Sequence, residues 1–141
     1  MTGTYDIAIA IRKKFQTDVA GPQNLGEVLE DNEPPPDDPR STWYALAISW
    51  DPKEQLASGK AGKRRYRQPG RATLELSMRQ GTGDGAMLKL MDAVTAAFQN
   101  KPITTPIVCF EPPPHPDGEA VAFQAWYRQR MTIYFEATIF E

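Results

Sequence analysis

The chain has 141 residues, 40% hydrophobic and 24% charged, with a net charge of −2. That length fits one domain, residues 1–141, which can bury a core without disulfides or metal. One cysteine, Cys109, excludes an intrachain disulfide and a multi-cysteine zinc site, and the acidic balance does not favour nucleic acid as a partner of the whole surface.

No basic stretch leads into a long apolar run, so neither a signal peptide nor a membrane span is expected. Ile7, Ile11, Phe15 and Val19 recur at helical spacing, with Thr4 as the expected cap, Asp6 in the first turn and Gly21-Pro22 as the expected stop. Leu25 to Glu30 reads as a short acidic edge strand. Asp31 to Ser41 carries Pro34, Pro35, Pro36 and Pro39, through which no ladder can run. Trp43 to Trp50 is a strand rich in aromatic and branched residues. Asp51 to Gln68 reads as a long basic loop, flanked by two strands that pair as a hairpin.

Arg71 to Arg79 alternates strictly, with Ala72, Leu74, Leu76 and Met78 on one face. After Gly81-Thr-Gly-Asp-Gly85, the stripe Met87, Leu90, Met91, Val94 and Phe98 marks a second helix. Thr104 to Phe110 reads as a strand, with Cys109 expected as a buried thiol. Pro112, Pro113, Pro114 and Pro116 form a second stiff loop ending at Asp117-Gly118. Trp126 to Phe140 is the longest strand, with Met131, Ile133, Phe135, Ala137 and Ile139 inward.

The order α-β-β-β-α-β-β implies an α+β fold: a single mixed or antiparallel sheet of about five strands with two helices on one face. An echo exists, because Glu33 to Pro36 and Glu111 to Pro114 are both Glu-Pro-Pro-Pro and each precedes a Trp-Tyr strand start. A duplicated αββ unit is one reading; convergent use of proline to end strands is the preferred one.

No constellation announces catalysis. The glycine turn lacks the Gly-Lys-Ser/Thr ending of a P-loop, and Asp84 would repel phosphate, so a turn capped by Thr82 or Asp84 is the plain reading. His115 lies between prolines with no second histidine to share a zinc ion. The acidic run Glu27, Glu30, Asp31, Glu33, Asp37 and Asp38 lacks EF-hand spacing. Its sign opposes that of Lys60, Lys63, Arg64, Arg65 and Arg67, so identical copies meeting head to tail can pair the two segments and close a ring. Two alternatives stand beside this for the basic stretch: a solvated hairpin tip, and nucleic-acid binding by the loop 60–71, with Tyr66 among the cations.

The first helix comes before a strand reaching Asn32-Glu33-Pro34, then the strand opened by Trp43. A long loop to Arg65-Tyr66-Arg67-Gln-Pro-Gly70, the turn Gly81 to Gly85 before a helix, and the closing Trp126-Tyr-Arg-Gln129 strand complete the pattern. This order and spacing resembles the tail terminator proteins of long-tailed bacteriophages, the lambda-type terminators and their relatives in prophages and phage-like particles. The resemblance spans nearly the whole chain and departs most in the two proline-rich segments.

It implies a virion protein, assembled in the host bacterial cytoplasm, that forms a homohexameric ring at the head-proximal end of the tail. There it stops polymerisation of the major tail tube protein and offers a docking surface to the head–tail connector and neck proteins. Genome DNA passes through the lumen without specific binding, and no enzyme activity, cofactor, metal or membrane is implied. A neck or connector-completion protein is the nearest alternative. The tentative contact residues are Lys60, Lys63, Arg64, Arg65 and Arg67 on one side and Glu30, Asp31 and Glu33 on the other.

Overall fold

Two strands of 15 residues each form the spine of the fold. β4 (Arg65–Arg79) and β8 (Trp126–Phe140) run antiparallel and pair residue for residue, from Arg65 opposite Phe140 to Arg79 opposite Trp126. The computed structural model describes residues 3–23, 25–27, 42–57, 59, 64–79, 84–99, 101–104, 106–118, 121–123 and 126–140. Around the spine lie α1 (Thr4–Phe15), β1 (Leu25–Glu27), β2 (Thr42–Trp50), β3 (Glu54–Ala57), α2 (Asp84–Phe98), β5 (Val108–Cys109), β6 (His115–Pro116) and β7 (Val121–Phe123). Among the described residues the strands form one eight-stranded sheet, with the path β1-β2-β4-β8-β5. β3 adds to β4, and β6 and β7 add to β8. β1 runs parallel to β2 and the other pairs are antiparallel, so the sheet is mixed. This is the expected α+β architecture.

The alternation of β4 and β8 decides which face is covered. Register places Leu46 beside Leu74 and Leu74 beside Met131, and Ile48 beside Ala72 and Ala72 beside Ile133. With Tyr44, Leu76, Met78 and Phe135 these fill the inner face, and both helices lay their stripes on it. Ile7, Ile11, Phe15 and Val19 are fully buried, as are Val94 and Phe98. Phe15 joins the layers: its ring centroid lies 4.6 Å from Tyr44 on the sheet and 6.4 Å from Phe98 on α2. Each large side chain removed from water contributes roughly 1.5–3 kcal/mol before the cost of ordering it.

Several local expectations are corrected. Gly3, not Thr4, is the N-cap of α1. Its carbonyl accepts the first helical bond from Ile7 N, and its own N–H donates to the Asp6 carboxylate at 3.2 Å. Gly21-Pro22 does not stop the helix. The chain widens into a π turn over Gln16–Ala20, with Gly21 N donating to Gln16 O, and adds a last helical turn, Gly21–Gln23. The widened turn offsets the carbonyl that the Pro22 ring would otherwise strike. Only Leu25–Glu27 of the first strand is described. The helix after the glycine turn begins at Asp84, and Thr82 lies outside the described residues.

Thr104 to Phe110 is not one strand. Ile103 and Val108 exchange both backbone hydrogen bonds, at 2.8 and 3.0 Å, and among the described residues of this run Val108–Cys109 form the strand, with Ile107 O accepting from Thr138 N at 3.0 Å. Alternation then buries Val108 and Phe110 and turns Cys109 out, so the expected buried thiol is exposed. The second proline loop is also more regular than expected. β6 bridges to Thr132 and Met131, and β7 folds back on the start of β8.

Candidate interaction surface

Of the stretch read as a loop from Asp51 to Gln68, Glu54–Ala57 and the residues from Arg65 on are strand, eight of its thirteen described residues. β2 ends at Trp50, the chain steps through Asp51-Pro52-Lys53, and β3 resumes beside the first residues of β4. The sequence hides this because Pro69-Gly70 looks like a turn. Pro69 survives in β4 for a geometric reason. Its carbonyl accepts from Asp51 N at 3.0 Å, so its missing N–H falls on the same side, at the gap between β2 and β3. The buried Gln68 amide secures the seam, donating to Asp51 O at 2.7 Å and to Pro69 O at 2.9 Å. Gly70 is required by packing: a Cβ there would lie 2.5 Å from Phe135 Cζ and 2.7 Å from Ser49 O. The Phe135 ring occupies that space and meets Trp50 edge-on at 5.5 Å.

Beyond the seam, β3, the first residues of β4 and the end of β8 form a three-stranded arm. Glu54, Gln55 and Leu56 are all exposed, and Leu56 is the extra residue of a bulge between Gln55 and Ala57. The last row of the arm is Ala57, Arg65 and Phe140, side by side across three strands. Leu56 and Phe140 are each 42% exposed, and Arg64 and Arg65 are exposed with them. Arg64 Nε donates to Gly59 O at 3.1 Å, which holds the head of that side chain near the tip.

Arg67 behaves differently from its neighbours. Its guanidinium donates to Glu54 across the β3–β4 pair and lies 3.9 Å from Glu136 across the β4–β8 pair. The Glu54 carboxylate first, then Glu136, holds its pKa above the already high ordinary value, so it stays charged but its field is answered within the chain. Further along the outer face, Glu75 is flanked by Arg130 at 3.2 Å and Arg128 at 3.5 Å.

The structure therefore brings Arg64, Arg65 and Arg67 to one arm and separates their roles. Lys60, Lys63, Glu30, Asp31 and Glu33 lie outside the described residues. The segment 60–71 is not simply a loop, since Arg65 to Arg71 is strand. Leu56 and Phe140 were missed by sequence reasoning. Their one signal is an apolar side chain among polar neighbours, which is too common to single out. His115 is exposed, stacked on Tyr134 at 5.6 Å, with Asp117 3.7 Å away. Among the described residues no group of three or more His, Cys, Asp or Glu side chains is placed to hold a metal ion, and no helix is long and apolar enough to cross a membrane.

No protein-family model and no curated protein matches the chain. Among solved structures, one that carries no functional name is similar in fold, with a TM-score of 0.60 and 14% identity. It covers 93% of this chain, and the match spans 95% of its own length. At that identity the likeness speaks to the fold alone.

Proposed function

We propose that this chain is a ring-forming tail terminator, a structural protein that caps the head-proximal end of a phage tail tube and offers the next surface to the head connector. The reading rests on the family resemblance in element order and spacing. The observation that best supports it is the arm. One end of the spine runs on past the seam as a three-stranded extension whose tip carries exposed apolar and cationic side chains, Leu56, Phe140, Arg64 and Arg65. Such a projection suits capping, in which identical subunits settle on the last tube ring and cover the edge where the next ring would build. The arm then reaches a neighbour or the tube while the two-layer core stays unchanged.

The test is location. Gold-labelled chain is mixed with the cognate tube protein during polymerisation and imaged by electron microscopy. Label at one end of each tube is the expected result. Label on isolated connectors and never on tubes would move the assignment to a neck or connector-completion protein. Salt-sensitive retention on DNA, with no label on tubes, would favour the nucleic-acid reading of the basic stretch.

A further inference from the structure

Resting on the terminator reading and deepening it, we infer that the outer face of the arm docks on a carboxylate-bearing apolar edge of the tube protein. One such contact is too small to hold by itself, so the chain binds the assembled tube end and passes over free tube subunits.

The surface follows from register. Gln68, Ala137 and Ile139 are buried on the inner side of the arm, so alternation turns Arg65, Arg67, Thr138 and Phe140 to the outer side. Phe140 stands opposite Arg65, and Thr138 opposite Arg67. β5 widens this face. Val108 pairs with Ala137 and Cys109 with Glu136, and the Ile107 carbonyl accepts from Thr138 N. Ile107 and Cys109 therefore share the side of Phe140. Seven large hydrophobic side chains are exposed among the described residues, and three of them, Leu56, Ile107 and Phe140, belong to the arm or to β5 beside it. Scattered ones are ordinary; a cluster marks a contact.

The charges say what kind of partner fits. Arg67 is answered by Glu54 and Glu136 of its own chain. Among the described residues no carboxylate pairs with Arg64 or Arg65, and both are exposed. Two such guanidiniums beside apolar groups are complementary to carboxylates set among apolar side chains. Nucleic acid fits less well. Glu54 and Glu136 on the same face would repel phosphate, and Ile107 and Phe140 add nothing to a phosphate contact. A second copy of this chain, arm against arm, would set like charges together.

Size decides the rest. From Arg65 to Pro69 the arm is five residues long, and β3, β4, β8 and β5 make it four strands wide. That is at most roughly 17 Å by 19 Å, or roughly 300 Å² in plan. A stable pair of proteins covers roughly 800 Å² on each partner. One arm on one tube subunit therefore holds weakly. A ring of arms on a ring of tube subunits makes every contact after the first intramolecular, which strengthens the whole by roughly 10²–10⁴ where the spacings match. A free subunit offers no second contact. Selection of the polymer end over its own monomer is the consequence of a small arm repeated around a ring.

Cys109 is the one cysteine of the chain and is exposed on the docking face, so alkylation of its thiol reports whether that face is covered. The full chain is mixed either with an excess of sheared tubes of the cognate tube protein or with free tube subunits at the same concentration. Binding is read by pelleting for tubes and by sedimentation velocity for subunits, and each sample is then alkylated. Tubes retain the chain and protect Cys109. Free subunits bind it about a hundredfold or more weakly and leave Cys109 reactive. Arg64→Glu/Arg65→Glu and Phe140→Ser each weaken retention on tubes about tenfold or more. Leu88→Ser, an exposed change on α2, leaves retention as it was. Circular dichroism accompanies each variant to show that it folds.

Tubes that retain the chain while Cys109 stays as reactive as in the free chain would remove the arm as the contact and leave the terminator reading standing. Full retention of both arm variants would do the same. Free subunits that bind as tightly as tubes would overturn the selection of the polymer. A chain absent from tubes altogether would remove both this inference and the terminator reading. Loss of DNA retention in Arg64→Glu/Arg65→Glu, with tube binding unchanged, would assign the tip to nucleic acid instead.

Discussion

The helix-covered part of the sheet and the arm beyond Trp50 are built from the same two spine strands, yet different forces hold them. In the covered part the inward side chains of β4 and β8 share one buried core with the helix stripes, and burial supplies the stability. In the arm the inward positions Gln68, Ala137 and Ile139 stay buried, and exposure falls on β3 and on the outer face. The Lys53 ammonium lies 4.9 Å from the Tyr66 ring centroid, Trp50 is 37% exposed, and β3 is held by its ladder to β4 and by the Gln68 seam. Hydrogen bonds and exposed ion pairs stabilise far less than a packed core. The lesson is a division of labour: the core, which includes Ala137 and Ile139 on the inner face of the arm, fixes the fold, and the exposed side chains of β3 and of the arm's tip can change without threatening it.

The comparison breaks most severely in the core. Phe98→Ala removes a fully buried ring packed against Phe15 and Phe110 and is expected to cost about 3–5 kcal/mol, read as a lower urea midpoint by circular dichroism. Gly70→Ala strikes the boundary between the two parts. Phe135 or the Ser49 carbonyl must give way, at a cost of about 1–3 kcal/mol.

Gln68→Ala sharpens the comparison more than it harms the protein. It removes the two donors that close the seam, worth about 0.5–1.5 kcal/mol each. Amide exchange should speed up in β3 while the amides of the β4–β8 pair around Leu74 keep their protection. Cys109 should react fully with a thiol reagent in the native protein; reaction only after unfolding would contradict its outward placement. At the smallest end, Arg64→Glu/Arg65→Glu should leave the urea midpoint unchanged while its effect falls on assembly.

The same division explains what the sequence made legible. Stripes such as Ile7-Ile11-Phe15-Val19 and the alternation from Met131 to Ile139 are visible because one buried face imposes one period. The N-terminal third of β4 is invisible to that signal. Arg67 and Gln68 satisfy partners that lie far away in the chain, and Pro69-Gly70 carries the composition of a turn. Cys109 shows the limit from the other side: the run Ile107 to Phe110 is apolar throughout, and only the register against Glu136 and Ala137 says which of its members face out. The contact residues fare similarly. Their charges are plain in the sequence, but the pairing that takes Arg67 out of play and puts Phe140 beside Arg65 exists only in the folded sheet.

The central claim is that this chain ends the growth of a tube. The most direct measurement is the length distribution of tubes polymerised from the cognate tube protein with increasing amounts of the chain, counted by negative-stain electron microscopy. The account predicts that tubes stop growing once chain is added, with six-fold density at one end and lengths that do not increase on further incubation. Tubes that lengthen at the same rate with and without the chain, and carry no extra density at either end, would contradict it.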